Sequence, residues 1–186
     1  MISNPTQSLR VLSVLLNYPD ADLLNGLDEI ASIADRSPSA EIKSAIQAYI
    51  HYLQTHAPIH VQERYTAVFD MNPATTLNVT YHVYGDNEKR AAALARLQRN
   101  YEQAGWERVT GELPDYLPMM LEFLSICPQP AYTAPVWRCL RSMQPLVERL
   151  EKNEPIYAVL LQPIVNMAME HSPSVGNNDH PIGAKA

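Results

Sequence analysis

His51, His56 and His60 form the densest group of ligand-type side chains in the sequence. A helix binds a metal when two such residues sit a turn apart on one face, as in an HExxH pair. Here the spacings are five and four and Pro58 interrupts them, so the three histidines do not share a face. Cys127 and Cys139, the only cysteines, do not form a CxxC pair and read as free, buried thiols in a reducing compartment. No GxSxG elbow, phosphate-binding loop or kinase signature is present, and nothing in the sequence pairs a nucleophile with a base. The residues therefore predict a protein that is not an enzyme and holds neither metal nor cofactor. The rival reading is a helical nucleotide hydrolase whose partners meet only in space.

The one stretch that concentrates unusual residues is GELPDYLPMMLEFLSICPQP, Gly111 to Pro130. Asp115 is predicted to cap the helix carrying Leu117, Leu121 and Leu124, accepting from its free N–H groups. Glu112, just upstream, places negative charge where the helix dipole favours it. Met119 and Met120 suit either core packing or an adaptable binding surface, and Glu122 would put an acid on a face that is otherwise apolar. The same corner is expected to face a partner.

The elements that must position this corner are nearly all helical. Leu9, Leu12 and Leu16 share a face, and that helix ends at Tyr18-Pro19 because the residue before proline avoids helical backbone. Asp20 is predicted to cap a helix burying Leu23, Leu27, Ile30 and Ala34. Ser37-Pro38 should start the next, striped by Ile42, Ile46, Tyr49, Ile50 and Leu53. Pro58 opens another, with Val61, Tyr65, Val68 and Phe69 inward. The segment TTLNVTYHVY alternates like a strand, but a lone strand without a partner is not viable, so helix is predicted against propensity. Asp86 or Asn87 should cap a long helix through Leu94, Leu97 and Tyr101, closed by Gly105. Helices follow around residues 134–153 and 154–171, with Pro145 and Pro163 expected to kink or split them. The fold class expected is all-α, a single-domain bundle of about nine helices over residues 1–171, with 172–186 a disordered tail.

Bulk composition narrows the function classes. Only 6 glycines in 186 residues argue against dinucleotide turns, and 15 prolines suit sharply ended helices. The net charge of −6 excludes nucleic acid as an expected partner. No basic n-region precedes the first apolar run, and no window reaches the length of a membrane span. A cytoplasmic location without direct membrane insertion is the expectation.

Four segments in order resemble the NarJ-type chaperones within the wider TorD/DmsD family of redox-enzyme maturation proteins. They are LLNYPD (residues 15–20), QERYTAVFD (62–70), HVYGDNEKRAAAL (82–94) and ELPDYLPMMLEFL (112–124). The last is the most specific, because capping alone does not generate so long a match. Tyr116 stands where such proteins tend to carry histidine after Pro-Asp, Tyr84 replaces the second histidine of HVHG, Tyr81 replaces an acid and Ala91 a glycine. The resemblance implies an all-helical chaperone that binds the N-terminal leader of a molybdoenzyme's catalytic subunit, nitrate reductase first among the clients, until its molybdenum cofactor is inserted. It implies a client surface formed or bordered by Tyr65, Phe69, His82, Glu112, Asp115, Tyr116 and Leu117. His82 would be either a structural hydrogen bonder or a pH-sensitive contact. Other clients, of selenate, chlorate or dehydrogenase type, and a permanent structural subunit are the alternatives.

Overall fold

A computed structural model describes residues 5–107 and 111–171; the expected tail at 172–186 lies outside the described residues. Helix α1 (Pro5–Leu15) buries Leu9, Leu12 and Leu15 against α8 (Leu117–Ile126), which is apolar around nearly its whole circumference and so runs through the middle of the bundle. Pro118 near the start of α8 has no N–H to satisfy, and its carbonyl accepts from Ser13 Oγ at 2.7 Å. Each buried polar group on this pair therefore has a partner. Glu122, the half-buried acid of α8, ion-pairs with Arg10 of α1.

The helix predicted after Asp20 is two helices. Asp20 caps α2 (Ala21–Asn25), accepting from Leu23 N at 2.9 Å, and Gly26 breaks the run before α3 (Leu27–Ala34). The next helix, α4 (Ala40–Thr55), is capped by Ser39, which accepts from Ile42 N at 3.3 Å, two residues later than predicted. Pro58 begins α5 (Pro58–Tyr65) as expected, but the chain then widens into a π-helical turn, Thr66–Asp70, closed by Met71 N donating to Thr66 O at 2.9 Å.

Asn87 caps α7 (Glu88–Gln103) through Lys89 N and Arg90 N, and Gly105 follows at φ +73°. Helix α9 (Pro130–Leu140) passes through a 3-10 turn (Arg141–Met143) into α10 (Gln144–Asn153), so Pro145 marks the split. Pro163 does not split α11 (Pro155–Glu170), which continues through it. With the single turn α6 (Tyr81–Tyr84), the described residues hold eleven α-helical segments, nine of them eight residues or longer. Among these residues there are no strands beyond one isolated bridge.

That bridge corrects the reading of TTLNVTYHVY. Only Tyr81–Tyr84 is helical; residues 77–79 run antiparallel to 115–117, with Val79 N donating to Asp115 O at 3.0 Å and Leu117 N to Leu77 O at 2.9 Å. The strand-like alternation was real, and its partner is the extended segment leading into α8. Leu77 and Val79 point into the core, while Asn78 faces out.

Candidate client-binding cleft

The bridged segment, the end of α5 with its π turn, and the entrance to α8 enclose a cleft of about 480 Å³. Its walls include Tyr18, Tyr65, Phe69 and Tyr116, and its charged residues are Asp70 and Glu112, both exposed. The aromatic rings form a connected series. Tyr18 meets Tyr65 edge-on at 5.7 Å between centroids, Tyr65 meets Phe69 at 5.0 Å, and Phe69 meets Tyr157 of α11 at 4.7 Å. Such edge-to-face pairs hold the rings in fixed orientations. The π turn adds a residue to the helical repeat just where Phe69 packs inward and Asp70 opens to solvent. Apolar side chains next in sequence to the wall are left exposed: Met71 at 76% and Leu113 at 42%, with Tyr18 itself at 44%.

The hydrogen bonds give this cleft a polarity. Tyr65 donates its one hydroxyl proton to Leu16 O at 2.9 Å. The Tyr65–Tyr116 contact of 3.2 Å must then be donated by Tyr116. Tyr116 is left with lone pairs alone for anything that enters. Burial, reinforced by the carboxylates of Glu112 and Asp70, raises its hydroxyl pKa above the ordinary phenol value. Two carboxylates and a lone-pair oxygen make an acceptor-rich site, suited to ammonium or guanidinium groups.

Of the residues expected from the sequence, the structure brings Tyr65, Phe69, Glu112 and Tyr116 together in the walls. Asp115 and Leu117 are wholly buried, at 0% exposure, and stand behind the wall. Asp115 does not cap α8, whose first flanking residue, Tyr116, makes no side-chain cap. Its carboxylate turns the other way, accepting from Asn78 Nδ2 at 3.2 Å, Thr80 N at 3.0 Å and Thr80 Oγ1 at 2.5 Å. Arg90 of α7 lies 3.6 Å away and also sits over the Tyr81 ring. A carboxylate with no access to water needs this many donors. The capping reading failed because Asn78 and Thr80, 37 and 35 positions earlier, supplied donors in a better place.

His82 also serves the wall. Arg149 of α10 donates toward its Nδ1 at 3.4 Å, so its Nε2 carries the proton donated to Thr76 O at 2.8 Å. Burial lowers its pKa, with Arg149 adding to the effect. Tyr18, Asp70, Thr76, Leu77 and Asn78 were missed as wall residues. Tyr18 and Asp70 lie inside the matched segments LLNYPD and QERYTAVFD, so the signal existed, but Tyr18 was read as a helix end and Asp70 was given no role. Among the described residues no group of three histidine, cysteine, aspartate or glutamate side chains is placed to hold a metal. Nor is any helix there long and apolar enough to cross a membrane.

Comparison with known proteins places the chain in a family. Residues 34–144 match the family described as the nitrate reductase delta subunit. The chain belongs to that family. It is 33% identical over 150 residues to a Bacillus subtilis (strain 168) protein described as a nitrate reductase molybdenum cofactor assembly chaperone, covering 81% of this chain and 82% of the relative. It is 33% identical over 162 residues to the Escherichia coli (strain K12) protein of that description, covering 86% and 69%. A crystal structure assigned to a redox enzyme maturation protein of Archaeoglobus fulgidus superposes with a TM-score of 0.66 over 91% of this chain and 96% of that one. At 21% identity, that likeness speaks to the fold alone.

Proposed function

We propose that this delta-subunit family member is an assembly chaperone for a molybdoenzyme, nitrate reductase being the client its relatives' names support. It would hold the immature catalytic subunit by its N-terminal segment while the molybdenum cofactor is inserted, without catalysing a reaction itself. The observation that carries the reading is the cleft: four aromatic rings, two carboxylates and a lone-pair-only hydroxyl, with no cationic side chain among the described residues of its walls. A leader that is both basic and apolar, folding as an amphipathic segment, is complementary to it.

Magnitudes divide the labour. An exposed ion pair contributes about 0.2–1 kcal/mol, whereas a micromolar complex needs about −8 kcal/mol. Burial against Tyr18, Tyr65, Phe69 and Tyr116 must therefore supply most of the affinity, with Asp70 and Glu112 setting orientation and approach rate. Asp115, Leu117 and His82 act behind the wall, fixing residues 76–80 and 115–117 that shape it.

Neither Trp106 nor Trp137 lines the cleft, so calorimetry is the readout of choice. A peptide copying the first residues of the catalytic subunit should bind with a micromolar Kd, and Tyr116→Ala should weaken it about tenfold or more. A folded protein that binds neither this peptide nor the full subunit between about pH 6 and about pH 8 would refute the reading.

A further inference from the structure

A second depression of about 670 Å³ lies between α7 and α9, and its charge is the reverse of the first. Arg96 and Arg99 stand on its α7 side and Arg138 on its α9 side, all three exposed, and no carboxylate among the described residues lines it. Among the described residues none of the three is in an ion pair. In a chain of net charge −6, three unneutralised guanidinium groups around one depression are a local departure from the general surface.

The shape is a trough. Its α7 wall runs from Ala93 to Gln103, about 15 Å at a helical rise of about 1.5 Å per residue. Ala93 and Leu97 on α7, and Pro135 and Cys139 on α9, provide its apolar and weakly polar surface. Burial pushes the Cys139 thiol up to about 12, so it is neutral at ordinary pH and adds no negative charge. Val83, 50% exposed, and Tyr84 add apolar surface from α6. A compact phosphate site gathers buried donors onto one point. Here the guanidinium groups are exposed and spread over facing helices above an apolar trough, which is how a groove holds a helix.

We propose that the α7–α9 groove docks an acidic amphipathic helix of a partner protein, its apolar stripe against Leu97, Pro135 and Val83 and its carboxylates beside Arg96, Arg99 and Arg138. The surface is separate from the aromatic cleft, and the inference stands whether or not that cleft binds a leader.

The test uses the full chain and a short labelled helical probe with leucines at i, i+3, i+4 and i+7, flanked by glutamates. Fluorescence anisotropy should give a micromolar Kd that weakens with added salt. Arg96→Ala/Arg99→Ala/Arg138→Ala should weaken binding about tenfold or more, while Arg36→Ala, a change on an exposed residue outside the groove, leaves it unchanged. Replacing the probe's leucines by serine should cost at least as much. Because the three arginines are exposed, the triple variant should keep the wild-type circular dichroism and melting curve. Equal binding by wild type and a folded triple variant would overturn the proposal, as would undiminished binding of the serine probe. Arginine-dependent binding of inorganic pyrophosphate with no binding of the helical probe would also overturn it, in favour of a small-anion site.

Discussion

Asp115 illustrates how a residue can be found by its sequence and misjudged in its role. The Pro-Asp pair before an apolar helix has every local sign of a cap, yet the carboxylate is consumed by Asn78, Thr80 and Arg90. The two roles differ in magnitude. Losing a cap costs about 1 kcal/mol, whereas removing one partner of a buried pair costs about 3–5 kcal/mol. Asp115→Ala is expected to fall in the larger range in urea unfolding. His82 provides a second test. Its folded pKa lies below the usual value of 6.5, so the unfolded chain takes up the proton first as pH falls. Stability from this group is present above about pH 6.5 and is lost as pH falls through and below that value. His82→Gln, which keeps a donor for Thr76 O, should show a smaller fall in urea midpoint between about pH 7.5 and about pH 5.5 than the wild type. The sequence marked His82 for attention but offered two roles; only its partners, Thr76 and Arg149, distinguish them.

At the scale of elements, legibility followed the range of the determining interaction. Asp20, Pro58 and Gly105 act on their own neighbours and were read correctly from the residues around them, and Asn87 is one of the two caps, Asp86 or Asn87, that the sequence offered. Gly105 sits at φ +73° with no described residue within 4 Å of where a Cβ would be, so backbone strain is the expected penalty. Gly105→Ala should destabilise by about 1–2 kcal/mol, measured by thermal or urea unfolding. The segment at 76–80 was misread because the partner its strand-like alternation required lies about 38 residues away, in a stretch that carries no strand pattern of its own. The break at Gly26 and the π turn at Thr66–Asp70 were missed for a related reason: both preserve the apolar stripe while changing the helix beneath it.

At the scale of the whole molecule, the all-α class was legible because apolar residues recur at helical spacing almost throughout. The aromatic cleft was legible in part. Tyr65 and Phe69 share the spacing of core residues, and only the convergence of three distant segments turns them into a wall with Glu112 and Tyr116. The cleft's charge yields a kinetic prediction. Asp70→Asn/Glu112→Gln should slow association of a basic leader peptide at low ionic strength and have little effect at high salt, as stopped-flow mixing would show. An equal loss in both conditions would assign these acids a packing role. The α7–α9 groove was not foreseen, because Arg138 lies about 40 residues beyond Arg96 and Arg99 in sequence and only the packing of α9 beside α7 brings the three together.

The carboxylate of Asp115 holds Asn78 through one oxygen and Thr80 through the other, and those two residues line different depressions. Position 115 is thus a pin common to the walls of both depressions, although nothing that enters either can touch it. A substitution there is expected to blunt the proposed binding at both together. Any screen that scores positions by lost capture would rank it as a contact, and only an accompanying unfolding curve would reveal it as scaffold.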